Sequence, residues 1–321
     1  MRYAWPMRIL LSTSAEALEA QRPAFTVEAE YGSTVVRGSL GTLAHHEAAR
    51  AASLDSGCPC LLAPGDALWG AAALALDRPV IGVSHWDWDT AGGVLGLLGV
   101  KPVHGLWSTV WQAVAHVDEQ GPHRAEAFVA YPAVRPLVEA MRAHAEAHRI
   151  PAPGGAAVVD VTEAVARDRS FLAALDLEWG RAGQPEGNPV PAAVERPLLA
   201  AGARFAAEQE GLAAASFVAG FCGGRLLLRA GDRFVNHLYR HDGRVAQAIV
   251  GFNTATGAIT LSFERPDALG SLSAAALMCR TFGDRAGGHR GIAGSPRGEV
   301  RSLVEAEALA LAVADLLPPH A

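Results

Sequence analysis

Lysine is nearly absent from this chain: Lys101 is the only one among 321 residues, and arginine carries the rest of the basic charge. The arginines form no run or stripe, which excludes the footprint of a duplex-DNA binder. With a formal charge of −6, a small phosphorylated substrate remains compatible. Cysteine is scarce as well. Cys58, Cys60, Cys222 and Cys279 cannot make a disulfide framework for a chain of this length. In Cys58-Pro59-Cys60 one residue intervenes where structural zinc knuckles use about two to four, so these thiols read as buried or idle. No apolar run approaches the ~20 residues that span a bilayer, and the segment 1–11 holds too short an apolar stretch for a signal peptide. A cytoplasmic protein with no membrane partner is expected. No internal repeat of fixed period is present.

Half of the residues are hydrophobic, enough at this length for two domains with separate cores. In the first part, short apolar runs alternate with helical periodicity. Strands are expected at 9–12, at 26–30 pairing with 33–37, ending at 60–65, and at 79–83; helices are expected at 15–20, 66–74, after residue 90 and at 106–115. Such alternation argues for a parallel sheet covered on both faces. Helices at 134–149, 163–179 and 192–212 follow, the last after a Pro- and Gly-rich connection at 181–191; that connection or the helix after it reads as a hinge. Beyond it the period changes to 2, with strands at 215–221, 225–229, 234–239, 246–251 and 258–263, then a helix at 270–282, a glycine-rich loop at 283–298 and a last helix to Leu317. The expected fold class is α/β: a parallel-sheet amino-terminal domain with flanking helices at 1–185, plus a smaller mixed α+β domain at 186–321.

The strand at 79–83 runs out into Ser84-His85-Trp86-Asp87-Trp88-Asp89-Thr90. In a period-2 continuation His85, Asp87 and Asp89 share one face, so three ligand-type side chains converge at the carboxyl end of a strand, where open α/β sheets place their ligands. One imidazole with two carboxylates suits a divalent cation such as Mn²⁺, and bringing these groups together without one is costly. The bland alternative is a polar loop capping the next helix, with Asp89 as its N-cap.

A second concentration of ligand types is His116, Asp118 and His123, where Gly121-Pro122 turns the chain; a helix C-terminus that favours histidine is the alternative. Of the adjacent His45 and His46, at most one would join a shared site, and Asp66 stands where an N-cap belongs. His144 and His148 lie four apart on a helix, but Glu146 sits midway and off their face, so a solvated face is expected there. In the loop at 283–298, glycines including Gly287 and Gly288 would let backbone N–H groups cradle an anion, with donors from His289 and Arg297 and a helix starting near Glu299 pointing its amino end at the same ligand; a long flexible surface loop is the alternative.

His85-Trp86-Asp87-Trp88-Asp89 with the small residues Ala91-Gly92-Gly93, and Gly287-Gly288-His289 followed by Ala293-Gly294, together resemble two motifs of the DHH phosphoesterase superfamily with its DHH-associated C-terminal domain. The chain has no Asp-His-His triplet, its first motif is preceded by some eighty residues, and Ala286 replaces one glycine. The resemblance implies two Mn²⁺ ions (Mg²⁺, Fe²⁺ or Zn²⁺ in their place) in a cleft between the domains. It implies His85, Asp87 and Asp89 as ligands, joined by Asp118 and His123, with Asp87, Asp89 and Asp118 catalytic and His289 a substrate contact beside Gly287, Gly288 and Arg297. The expected function is a metal-dependent phosphohydrolase acting on a nucleotide, a short single-stranded oligonucleotide or another small phosphoester. A non-catalytic nucleotide-binding protein and a metal-dependent hydrolase of a carbon centre are the alternatives, and a homo-oligomer is left open.

Overall fold

The segment Arg8–Ser12 (β1) buries four consecutive residues, the pattern of a strand covered on both faces. In the computed structural model, which describes residues 7–31, 34–45, 58–62, 79–120, 134–181 and 207–319, Ile9 and Leu11 pack into the main core while Leu10 enters a smaller one on the opposite face. Helix α1 (Ala15–Glu19), capped by the Ser14 hydroxyl, leads to β2 (Phe25–Val27). Glu28 then takes a left-handed φ of 50°, which ends β2 and directs the chain into a small hairpin of β3 (Glu30–Tyr31) with β4 (Thr34–Val35). The strand pair expected at 26–30 and 33–37 is therefore divided: its first residues join the main sheet and the rest pair locally.

Strands β5 (Gly41–Leu43) and β6 (Val80–Val83) complete the parallel part. Helices α2 (Trp88–Leu97), α3 (Trp107–Gln120) and α4 (Arg135–Ala147) follow, then edge strand β7 (Val158–Asp160) and helix α5 (Thr162–Arg181). The order is β5-β2-β6-β1-β7, parallel except for β7. The most central strand, β6, is thus the one that delivers the motif at 84–90.

Every residue of α2 is buried. Its glycines explain how: a Cβ on Gly92 would lie 2.7 Å from that of Cys60, and one on Gly93 would lie 2.8 Å from both Pro59 and Val27. The helix is seated between the sheet and a 3₁₀ turn, Pro59–Leu61, where the sequence suggested a strand end. Pro59 at the first position fixes φ for that turn, and the Cys60 N–H bonds to Asp89, leaving it no strand partner. The sole lysine closes the arrangement: Lys101 Nζ donates to the carbonyls of Cys60, at 2.6 Å, and Leu62.

The second sheet begins after a helix at 207–215 (α6), with β8 (Phe217–Phe221), β9 (Leu226–Gly231), a short pair of β10 (Arg240–His241) with β11 (Arg244–Val245), β12 (Ala248–Asn253) and β13 (Ile259–Phe263). Helix α7 (Ala274–Phe282), the edge strands β14 (Gly287–Gly288) and β15 (Ile292–Gly294), and helix α8 (Leu303–Ala314) complete it. Leu226 and Leu228 face α7 and α8, and Leu227 packs with Tyr239 and Ile249 on the other side. Strands β9 and β12 are parallel neighbours in the order β14-β15-β13-β12-β9-β8. Their connection must cross over, and for that reason residues 234–239, expected as a strand, form a turn lying on the sheet. Fully buried Arg229 ties this layer together by donating to the Ala213 and Arg240 carbonyls and to Ser216.

The α/β architecture with two separate sheets is as expected. The boundary at 185/186, the connection after Arg181 and most of the helix expected at 192–212 lie within 182–206, outside the described residues. No helix among the described residues is long and apolar enough to cross a membrane.

Candidate metal centre

Strand β6 stops at Val83, so the motif does not continue with period 2. Asp87 is the N-cap of α2, its Oδ1 accepting from the Thr90 N–H at 2.9 Å, and Asp89 belongs to the first helical turn. The three expected ligands are consequently divided between two groups. His85 Nε2 stands 3.1 Å from Asp87 Oδ2 at the half-exposed mouth, whereas Asp89, only 2% exposed, turns inward.

Around Asp89 the fold assembles a cluster that the spacing did not foretell. Single donor atoms of His45, Cys58, Asp89 and Asp118 all lie within 4.8 Å of one another. His45 follows β5, Cys58 opens the 3₁₀ turn and Asp118 is in the last turns of α3. His45 Nε2 is 2.9 Å from Asp118 Oδ2 and 3.6 Å from Glu28 Oε1, and Cys58 Sγ donates to Asp89 Oδ1 at 2.7 Å. From the second sheet, His289 brings its ring to 4.7 Å from that of His45 and its Nε2 to 4.0 Å from Asp118 Oδ2.

The electrostatics record crowded negative charge. Burial, then the charges of Asp89, Asp118, Glu30 and Asp87, raise the Glu28 carboxyl well above its ordinary range. Burial and the charges of Asp118 and Asp87 push Asp89 up to about 7. Desolvation also opposes ionisation of Asp87, but His85 and the Thr90 N–H outweigh it and hold that carboxyl below the usual range. Burial disfavours a charged His45, yet its bond to Asp118 and the surrounding carboxylates win, and its pKa rises. The Cys58 thiol is raised by its contact with Cys60, by burial and by Asp89.

A divalent cation fits this set of residues. The Asp89 Oδ2 atom is buried and has no hydrogen-bond partner among the described residues, while Oδ1 is already taken by Cys58 and by the Cys60 N–H at 2.8 Å. One imidazole, one sulfur and two carboxylates are metal-ligand chemistry, and a cation would relieve the repulsion that raises Glu28 and Asp89.

A cavity of about 1350 Å³ opens from the cluster, with His85, Asp89 and Asp118 on one wall and Gly288, His289 and Arg297 on the other. Arg297 donates to Ser84 Oγ, and its Nη1 lies 3.1 Å from His85 Nδ1. The glycine-rich segment is only partly a loop, since β14 and β15 form an edge hairpin in which Gly288, at φ 146°, has Ile292 O 2.5 Å from where a Cβ would be. Helix α8 starts at Leu303, not near Glu299. Its amino end is closed by a capping box of Ser302 and Glu305, so it is not free to hold an anion.

No protein-family model and no curated protein matches the sequence. Two structures of RecJ from Thermus thermophilus are similar to the chain. The one in complex with Mg²⁺ shares 17% identity at a TM-score of 0.32, and the one with Mn²⁺ shares 14% at 0.34. Both similarities cover 95% of this chain but 52% and 55% of RecJ, so the chain spans about half the length of that protein. An uncharacterized protein from Helicobacter pylori is similar over 80% of both chains, at 12% identity and a TM-score of 0.20. Scores this low carry no functional argument, and the case for function rests on the donors themselves.

Of the residues singled out from sequence, the fold brings Asp89, Asp118, His45 and His289 together and sets His85, Asp87 and Arg297 beside them. His116, half-buried two residues before Asp118, is offset from it around the helix. His46, Asp66 and His123 lie outside the described residues. His144 is not on a solvated face: its Nε2 is 3.0 Å from Asp168, and its ring stacks on Phe171 at 4.0 Å. Glu28 and Cys58 were missed as site residues. The only signal for Glu28 is a pair of acids, Glu28 and Glu30, in an otherwise apolar stretch; the spacing of Cys58 to Cys60 is wrong for a knuckle, and the actual partners of Cys58 are distant in sequence.

Proposed function

We propose that the chain is a metal-dependent phosphoesterase that hydrolyses a small phosphoester, of the size of a nucleotide or a short single-stranded oligonucleotide, in the cavity between its two sheets. The observation that carries this reading is the pairing of a donor cluster, the buried His45 and Asp89 with the half-buried Asp118, with cationic and glycine-rich residues on the facing wall. The resemblance of the two motifs to the DHH phosphoesterases supports it as well. Those three residues would hold a divalent cation, which when bound supplies a water-derived nucleophile near neutral pH and charge for the phosphoryl oxygens. His123 stays a proposed further ligand. His85 and Asp87, paired at the mouth, provide a proton-handling group or a second set of donors. Arg297 and His289 orient the anionic group, and the backbone at Gly287 and Gly288 allows it a close approach.

The test is hydrolysis of a panel of nucleotides and short oligonucleotides, followed as released phosphate or nucleoside monophosphate, by protein loaded in turn with Mn²⁺, Mg²⁺, Fe²⁺ or Zn²⁺. Metal-dependent turnover that Asp89→Asn abolishes is expected. Undiminished turnover in Asp89→Asn, or none with any metal, would overturn the proposal.

A further inference from the structure

We infer that Cys58 is a thiolate ligand at this centre, making it a mixed nitrogen, sulfur and oxygen site that takes Zn²⁺ or Fe²⁺ in preference to Mg²⁺ or Mn²⁺. The inference rests on the metal-dependent reading above and names the class of cation.

Three observations converge on the sulfur. Cys58 is buried and its Sγ is one of the donor atoms that lie within 4.8 Å of each other. Its neighbour in that set, Asp89, is itself 2% exposed and keeps Oδ2 without a hydrogen-bond partner among the described residues, so the sulfur is accompanied by a buried carboxylate oxygen open to a cation. The sulfur is also held in place. Pro59 sets the turn that follows it, Gly92 and Gly93 let that turn close on α2, and Lys101 pins the Cys60 carbonyl.

The donor set then selects among cations. Thiolate is a soft ligand that suits Zn²⁺ and Fe²⁺, whereas Mg²⁺ and Mn²⁺ prefer oxygen. Mg²⁺ moreover is held through one or two carboxylates and its own waters, a set in which an imidazole and a sulfur beside Asp89 have no place. As the sulfur–metal bond forms, the Sγ–H proton leaves to solvent, and neither the sulfur nor the cation changes oxidation state.

The full chain loaded with Co²⁺ provides the test. A thiolate-to-cobalt charge-transfer band in the near ultraviolet is expected in the wild type and in Cys60→Ser, and its loss in Cys58→Ser, with the cobalt d–d absorption retained. Loading with equal Zn²⁺ and Mn²⁺ should give a zinc-to-manganese ratio that falls at least about tenfold in Cys58→Ser. X-ray absorption of the zinc-loaded wild type, which needs no variant to fold, should show a sulfur scatterer at about 2.3 Å. Bound cation with no sulfur signal in the wild type, or a band that persists in Cys58→Ser, would overturn the thiolate and leave the hydrolase reading standing. Failure of the wild type to bind any of these cations would overturn both.

Discussion

Arg297 reaches back across 212 residues to place its Nη1 3.1 Å from His85 Nδ1 while also donating to Ser84 Oγ. A guanidinium has no acceptor, so Nδ1 must accept, and the ring proton sits on Nε2, donated to Asp87 Oδ2 at 3.1 Å. One arginine of the second sheet's domain therefore fixes the tautomer of a histidine at the end of the first sheet's central strand.

Replacing Arg297 by Met should leave the fold in place and weaken catalysis. A charge-assisted hydrogen bond contributes about 1.5–3 kcal/mol, which corresponds to roughly a 10- to 100-fold fall in kcat/KM. Because the guanidinium also faces the cavity, the loss should appear mainly in KM for an anionic substrate. Steady-state kinetics on a phosphoester checks this, with circular dichroism to confirm the fold; unchanged KM would place the substrate elsewhere.

Asp89→Asn should stabilise the metal-free protein and abolish its stabilisation by metal. In the metal-free protein the amide keeps the acceptor used by Cys58 and Cys60, removes a charge repelled by Asp118 and Asp87, and offers an N–H where Oδ2 was. The metal-free variant should therefore melt higher than the metal-free wild type at neutral pH. A cation at 100 times its Kd should add about 2.7 kcal/mol to the wild type and little to the variant. Thermal melts with and without chelator decide it.

These residues also show how far the sequence could be read. The β–α alternation, the apolar run of β6 and the later period-2 strands carried the two-sheet architecture, because local periodicity is set by which faces are buried. It failed at 60–62 and 234–239, where a tight turn and a crossover stand in place of strands that periodicity cannot tell from them. Asp89 and Asp118 were legible as ligand types. Their grouping with His45 and Cys58 was not, because it depends on how closely α2 and the 3₁₀ turn approach, which is decided by tertiary packing at Gly92 and Gly93.

Lys101 gives that packing a single testable point. The residue is 5% exposed, and its ammonium bonds to the carbonyls of Cys60 and Leu62 and lies 5.3 Å from the centre of the Trp111 ring. Lys101→Met keeps the stem and the volume but strips the donors from buried carbonyls, at a cost of about 2–4 kcal/mol. The urea midpoint should fall accordingly. Metal affinity should weaken too, because the same turn holds Cys58 and the N–H that orients Asp89; a stability loss without an affinity loss would mean that the turn is rigid without the lysine.

Asp168 sets an acid limit on stability. Its buried carboxylate accepts from Trp86 Nε1 at 2.8 Å, His144 Nε2 at 3.0 Å and Arg167 Nε at 2.9 Å. Burial alone would raise its pKa, but these bonds outweigh it and hold the carboxyl below its ordinary range. With a folded pKa below the unfolded one, the unfolded chain takes up the proton first as pH falls. The stabilisation is thus present above the ordinary carboxylate pKa of about 4 and is lost as pH drops through the folded value. Asp168→Asn leaves at least one of the three donors unpaired, which costs about 1.5–3 kcal/mol at neutral pH. Denaturant titrations of both proteins from about pH 7 to about pH 3 should show the gap between them constant at first and shrinking only below about pH 4. A gap that instead closed near neutrality would assign the pH dependence to His144 rather than to the carboxylate that holds it.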